Sequence, residues 1–162
     1  LSASSAASYL YKRQLRPEFK DYIKSVLANA KILAETLKNN GFKIYSGGTD
    51  THLMLVDLRP FNVKGNVAAQ SLCKANITCN KNGIPFDTEK PTITSGIRLG
   101  SPAATTRGFG LEEFKKVGEL ITKVIIGLSK NPNNNSKIEK EVKEEVIKLC
   151  TSFPIYNHLK SS

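Results

Sequence analysis

Two long amphipathic patterns constrain the fold of this chain more than any other feature. The first is opened by Arg16-Pro17-Glu18 and ended by Asn39-Asn40-Gly41, and the second covers Leu111–Lys130. In both, apolar residues recur every three or four positions, which is typical of a helix with one buried face. Gly41 follows the first pattern and is a natural helix stop. Each helix therefore needs an apolar layer to pack against.

Short strand-like runs lie between these helical patterns. The run His52–Asp57 is almost entirely apolar, which indicates a buried central strand. Three other runs have strand character, and they cover Phe42–Tyr45, Ile77–Asn80 and Thr92–Leu99. The order of elements predicts an α+β fold, a two-layer α/β sandwich. We expect a small, mostly antiparallel sheet of three to four strands, covered by three long helices.

Three further helices are predicted from local signals. One covers Lys64–Ala75, and a short one follows Ser101-Pro102, with Ser101 as the N-cap. The last runs from Ser136 to Cys150, with Ser136 and Glu139 as a capping box.

Composition indicates a single domain with no special chemistry of its own. The chain has 162 residues, of which 40% are apolar and 23% charged, and no run approaches the roughly 20 apolar residues of a membrane span. Its three cysteines form no C-x-x-C pair. We therefore expect reduced, mostly buried thiols, a cytoplasmic location, no membrane partner and no metal site.

The net charge of +10 raises the question of a nucleic-acid partner. The lysines are interleaved with acidic residues, as in Lys137–Glu145, and no block of five basic residues occurs. Aromatic residues do not alternate with the basic ones, as a base-stacking surface would require. The charge pattern favours a solvated surface and no nucleic-acid partner.

Arg98 is the cation with the most unusual setting. It lies between Ile97 and Leu99, with glycines at positions 96 and 100, within the stretch Thr94–Phe109. We expect it at the end of a short strand. A guanidinium in such a place can bind a carboxylate through two parallel hydrogen bonds, or it can be half of a structural ion pair. The residues alone leave both interpretations open. For Arg107, by contrast, a structural anchoring role is favoured.

Three motifs resemble the serine hydroxymethyltransferase family. They are Ser46–Leu58, Ala75–Pro85 and Thr94–Phe109, in the family's order and spacing, and the ending Leu149–Tyr156 is similar to that of bacterial members. The resemblance covers roughly residues 15–156. Residues 1–14 match poorly, so we treat them as a separate segment and 15–162 as the family's C-terminal small domain, without the large domain.

The resemblance implies a fold, an activity and a set of site residues. The family consists of fold-type I pyridoxal-phosphate enzymes, homodimers or tetramers, which interconvert serine and glycine and pass a one-carbon unit to or from tetrahydrofolate. By this resemblance Arg98 binds the substrate carboxylate. Asn82 and the segment Lys90-Pro91-Thr92 contribute to the folate site, although the third position of that segment is usually aromatic.

The resemblance also implies what lies elsewhere in such an enzyme. The lysine that carries pyridoxal phosphate belongs to the large domain, and no lysine of this chain has the family's Thr-Thr-His-Lys context. We expect no catalytic residue in this chain and no activity from it alone. The alternatives are a stand-alone amino-acid-binding module and a nucleic-acid-binding module.

Overall fold

The computed structural model describes residues 3–155, with side chains from residue 8 onward; Tyr156 lies outside the described residues. The helices are α1 (Ala3–Gln14), α2 (Pro17–Asn39), α3 (Gly65–Lys74), α4 (Pro102–Arg107), α5 (Leu111–Lys130) and α6 (Ser136–Thr151). The strands are β1 (Lys43–Ile44), β2 (Leu53–Asp57), β3 (Asn80–Asn82) and β4 (Gly96–Gly100). Two single 3-10 turns, Tyr45–Gly47 and Arg59–Phe61, follow β1 and β2.

The four strands form one antiparallel sheet in the order β1-β2-β4-β3. The central pair aligns Leu55 with Arg98, and β3 aligns Asn80 with the same residue. One sheet face is apolar, and its buried side chains include Val56 and Ile97. The predicted α+β sandwich with a small antiparallel sheet is confirmed.

Helices α2, α3 and α5 pack with the sheet around one core, and α6 packs on α3 and α5. The core contains the apolar stripes of α2 and α5, such as Leu33 and Leu37 on the first and Ile121 and Ile125 on the second. The three long helices are therefore confirmed, with α2, α5 and α6 in that role. Burial of these stripes supplies the main driving force for folding.

The predicted strands Phe42–Tyr45 and Ile77–Asn80 begin too early. The first residue of each belongs to the stop of the preceding helix. Gly41, at φ +87°, follows α2, and the N–H of Phe42 donates to the Leu37 carbonyl at 3.1 Å. Asn76, at φ +62°, follows α3 in the same way, and the N–H of Ile77 donates to the Leu72 carbonyl at 2.8 Å. Both are Schellman stops, which place an apolar residue just past the helix.

The predicted strand over Thr92–Leu99 also begins too early. The N–H groups of Ile93 and Thr94 both donate to the Lys90 carbonyl, which makes a turn. Thr94 has φ +63°, a conformation that is costly for a β-branched residue and cannot continue a strand. The strand therefore begins at Gly96.

One capping prediction is wrong, and a second is confirmed in position only. Glu139 does not turn back to cap α6, because its Oε1 accepts a hydrogen bond from the buried Ser71 hydroxyl at 2.7 Å. Ser101 is the N-cap residue of α4 with Pro102 after it, as predicted, but its side chain makes no cap, because its hydroxyl donates to the Val26 carbonyl at 2.7 Å. Both side chains bind a neighbouring helix and so tie elements together.

Three other observations differ from expectation or extend it. Helix α1 occupies most of the segment 1–14, for which no helix is predicted. Cys73 is exposed and Cys79 and Cys150 are half-buried, so the thiols are not mostly buried. Within residues 3–155, none of the helices has the length and apolar character needed to span a membrane.

Candidate functional site

The sheet face that points away from the core holds the predicted site. Because side chains alternate along a strand, the register defines this face. We call it the outer face, and its residues are Lys43, Leu53, Leu55, Asp57, Asn80, Asn82, Gly96, Arg98 and Gly100. It is mixed in character, since it combines apolar, amide and charged side chains with two glycines.

Arg98 is exposed at the centre of the outer face. It lies in the middle of β4, opposite Leu55 on one side and Asn80 on the other, and not at the strand end as expected. Within residues 3–155 its guanidinium makes no ion pair and no hydrogen bond. Arg98 therefore has no carboxylate partner among the described residues, which argues against its interpretation as half of a structural ion pair.

Glycines flank Arg98 on the outer face because neighbouring groups come too close for a side chain. A Cβ on Gly96 would lie 2.6 Å from Ile84 Cγ2 and 2.7 Å from the Val56 carbonyl oxygen. A Cβ on Gly100 would lie 2.9 Å from Leu53 Cδ2. Neighbouring groups therefore pack directly against the strand backbone on either side of Arg98.

Asn82 shares the outer face with Arg98, in the adjacent strand. It aligns with Gly96, two residues before Arg98, and is half-buried. Its side-chain N–H donates to the Gly83 carbonyl at 2.8 Å. The structure therefore brings together two of the residues predicted from sequence.

Lys90, Pro91 and Thr92 are exposed in the connection from β3 to β4. They belong to the loop 83–95, which ends directly before Gly96. Their placement next to the entry of β4 follows from chain order and from the turn at Lys90 described above.

Asp87 organises this loop, and the sequence analysis did not single it out. Its carboxylate accepts hydrogen bonds from the N–H groups of Ile84, Glu89 and Ser95 and from the Ser95 hydroxyl. Burial alone would raise the pKa of Asp87, but the hydrogen bonds from Ser95, Glu89 and Ile84 outweigh it and hold the pKa well below its usual range. Asp87 lies between Pro85 and Pro91 in the sequence. An aspartate in such a stretch is a turn signal, from which its role in the loop could have been predicted.

A second carboxylate, Asp57, lies at the end of β2 and is aligned with Gly96 of β4. Asp57 accepts hydrogen bonds from the backbone N–H of Arg59 at 3.0 Å and from its guanidinium at 2.7 Å. Burial would raise the pKa of Asp57, but the hydrogen bonds and charge of Arg59 hold it below its ordinary value. The same guanidinium donates to Tyr45 Oη at 3.0 Å, and that hydroxyl donates to the Pro85 carbonyl at 3.4 Å.

The segment after Arg98 is anchored by backbone contacts. The Arg107 guanidinium donates to the carbonyls of Phe153 at 2.7 Å and Cys150 at 2.9 Å, near the end of α6. This is the structural role that the sequence favours, although the acceptors are carbonyls and not carboxylates. An apolar cavity of about 560 Å³ is lined by Arg107 and Cys150 of this anchor and by none of the residues predicted to bind substrate or folate.

The comparisons with known proteins all match the same family. Residues 2–121 match the family model described as serine hydroxymethyltransferase. A serine hydroxymethyltransferase of Pelagibacter ubique (strain HTCC1062) is 78% identical over 158 residues, which are 98% of this chain and 36% of the relative.

Two further relatives carry the same description. The serine hydroxymethyltransferases of Marinomonas sp. (strain MWYL1) and Paramagnetospirillum magneticum (strain ATCC 700264 / AMB-1) are 63% and 64% identical over 142 residues. These matches cover 88% of this chain and 33% of each relative. The chain thus spans about a third of the length of the relatives it matches. It belongs to the serine hydroxymethyltransferase family.

Proposed function

We propose that residues 15–162 are the C-terminal small domain of a serine hydroxymethyltransferase, which interconverts serine and glycine with transfer of a one-carbon unit to or from tetrahydrofolate. In this proposal the chain supplies the group that holds the amino-acid carboxylate. The observation that carries it is the placement of Arg98, exposed at the centre of the outer face with no ion pair among residues 3–155. A cation left without an internal partner is available to an external anion.

Arg98 suits a carboxylate in particular. Its planar guanidinium can donate two parallel N–H bonds to the two carboxylate oxygens and so fixes the orientation of the substrate as well as its position. Its side chain is exposed, so a carboxylate can approach it from solvent. Orientation of this kind lowers the barrier of a reaction at the adjacent carbon atom. A lysine would supply the charge but not the two parallel N–H donors.

Tetrahydrofolate is the second substrate in this proposal. Asn82 lies on the outer face beside Arg98, and its amide can exchange hydrogen bonds with the polar edge of a pteridine ring. Lys90, Pro91 and Thr92 are exposed at the loop that leads into β4, where they can line the same ligand. Thr92 offers a hydroxyl and a methyl group where the family usually has an aromatic ring.

The described residues do not fit the pyridoxal phosphate that such an enzyme uses. The group is carried by a lysine that must lose its proton, which requires a desolvated setting. Every lysine between residues 8 and 155 is exposed or half-buried. We therefore assign the cofactor to another part of the enzyme, the large domain.

The remaining elements of the proposal concern assembly and location. We propose that the outer face meets the large domain of the same enzyme and that the enzyme is a homodimer. We propose a cytoplasmic location, which is consistent with three free cysteines.

A hybrid enzyme tests the proposal. In it, this chain replaces the matching part of the Pelagibacter ubique relative, to which it is 78% identical. We expect the hybrid to convert serine to glycine, and Arg98→Lys to lower kcat/KM for serine by about ten- to a hundredfold, since a charge-assisted bidentate pair contributes about 1.5–3 kcal/mol.

The matched control is Arg16→Lys, at an exposed arginine before α2. It should leave kcat/KM within about twofold of the parent. An Arg98→Lys hybrid that is folded and has the parent's kcat/KM would show that Arg98 does not bind the substrate.

A further inference from the structure

The loop 83–95 joins the two strands that carry the proposed ligand contacts. Asn82 is the last residue of β3, and Arg98 is the third residue of β4. Lys90, Pro91 and Thr92 lie between them. Strand pairing sets the position of Asn82 relative to Arg98, whereas the position of the segment 90–92 depends on how the loop is held.

Asp87 holds the loop from within. Its Oδ2 accepts the N–H of Ile84 at 3.2 Å and of Ser95 at 2.9 Å. Its Oδ1 accepts the N–H of Glu89 at 3.0 Å and the Ser95 hydroxyl at 2.6 Å. A carboxylate has lone pairs for all four donors, whereas an amide has one acceptor oxygen and would place N–H groups against N–H groups.

These four hydrogen bonds connect the two ends of the loop. Ile84 is two residues past Asn82, and its side chain packs against Gly96. Ser95 is three residues before Arg98, and its carbonyl accepts the N–H of Leu58 at 3.0 Å, which ties the loop to the end of β2. The β3–β4 pairing sets Asn82 beside Gly96. The Asp87 side chain closes the loop between Ile84 and Ser95 above that pair.

Other contacts hold the loop at Glu89, Ile93 and Thr94. Lys64 forms an ion pair with Glu89, and the N–H groups of Gly65 and Asn66 donate to the carbonyls of Thr94 and Ile93 at 2.9 Å. They attach the loop to the start of α3. None of them joins Ile84 to Ser95, so they do not replace Asp87.

We propose that Asp87 is a positioning residue for the folate site, which holds the segment 90–92 in place beside the paired strands that carry Asn82 and Arg98. The proposal rests on the function proposed above. It assigns to Asp87 no contact with substrate. Its effect is transmitted through the loop backbone, so it should change the binding of tetrahydrofolate more than the rate of the chemical step.

The hybrid enzyme described above tests this role. We expect Asp87→Asn to raise KM for tetrahydrofolate about tenfold with kcat within about threefold, because a loss confined to KM indicates lost binding and not lost chemistry. The matched control is Asp21→Asn, at an exposed aspartate of α2 that pairs with Lys24. It should leave both constants unchanged. Assays are run well below the melting temperature of each variant.

A second variant covers the case in which Asp87→Asn does not fold. Ser95→Ala removes the hydroxyl donor and keeps the three N–H bonds, and we expect it to raise KM for tetrahydrofolate about threefold. Folded variants with the parent KM for tetrahydrofolate, in a hybrid whose serine kinetics respond to Arg98→Lys, would overturn the role of Asp87 alone. Serine kinetics that do not respond to Arg98→Lys would overturn the proposed function itself.

Discussion

Arg98 and its two flanking glycines act together at the scale of single residues. The Arg98 side chain is exposed on β4. Because Gly96 and Gly100 have no side chains, Ile84 and Leu53 can pack directly against the strand backbone on either side of it. The sequence indicates the arginine and the glycines as a unit. It does not reveal that Gly96 is required by Ile84, since that contact depends on a loop whose path is set by Asp87.

Gly96→Ala should destabilise the chain by about 1–3 kcal/mol, because the new Cβ would press on Ile84 Cγ2 and on the Val56 carbonyl. Gly83→Ala is the matched control, since its Cβ would meet nothing closer than Asp87 Oδ2 at 3.8 Å. Urea unfolding measures both variants. Equal stability of the two would contradict the packing described for Gly96.

The stability that Asp87 contributes should depend on pH. Its pKa in the folded chain is held below the unfolded value of about 3.9, so the unfolded chain binds more protons in acid. The contribution is therefore fully present above about pH 5 and is lost as the pH falls towards the folded pKa. We expect the difference in unfolding free energy between the parent and Asp87→Asn to shrink from pH 6 to pH 3. A difference that is constant over this range would mean that the charge of Asp87 is not what holds the loop.

At the scale of elements, the ends of helices explain most of the errors in the predicted strands. Phe42 and Ile77 have strand character in the sequence, but each is the apolar residue that follows a Schellman stop. Gly41 is recognisable as such a stop because glycine favours positive φ. Asn76 also adopts a positive φ, but asparagine is a weaker sequence signal for a helix stop than glycine. The predicted third strand, Ile77–Asn80, therefore begins three residues before β3.

Asn76→Ala should lower stability by about 1 kcal/mol, since alanine is disfavoured at φ +62°. Asn76→Gly should be neutral or slightly stabilising, because glycine adopts this conformation freely. Thermal melting of both variants distinguishes them. If alanine and glycine had the same effect, the left-handed stop at the end of α3 would be wrong.

At the scale of the whole molecule, the fold class follows from periodicity, but the polar contacts between elements do not. The apolar stripes of α2 and α5 predict a sandwich, and the structure confirms it. Ser101 and Glu139 look like caps in the sequence, because capping needs only local spacing. Their observed partners, Val26 and Ser71, are more than 60 residues away in the chain and become neighbours only after the helices have packed.

The chain on its own should not retain pyridoxal phosphate. Its described lysines are exposed or half-buried, whereas a lysine that carries this cofactor is desolvated. Borohydride reduction in the presence of the cofactor, followed by mass spectrometry, should find only weak labelling spread over many lysines. Saturable labelling of a single lysine would contradict the assignment of the cofactor to another part of the enzyme.

The binding of the amino-acid carboxylate by Arg98 is the central claim, and a crystal structure of the hybrid enzyme with glycine tests it most directly. We predict two N–H···O bonds from the Arg98 guanidinium to the two carboxylate oxygens, each about 2.7–2.9 Å long. A glycine carboxylate held by other residues, with Arg98 beyond hydrogen-bonding distance, would contradict the claim.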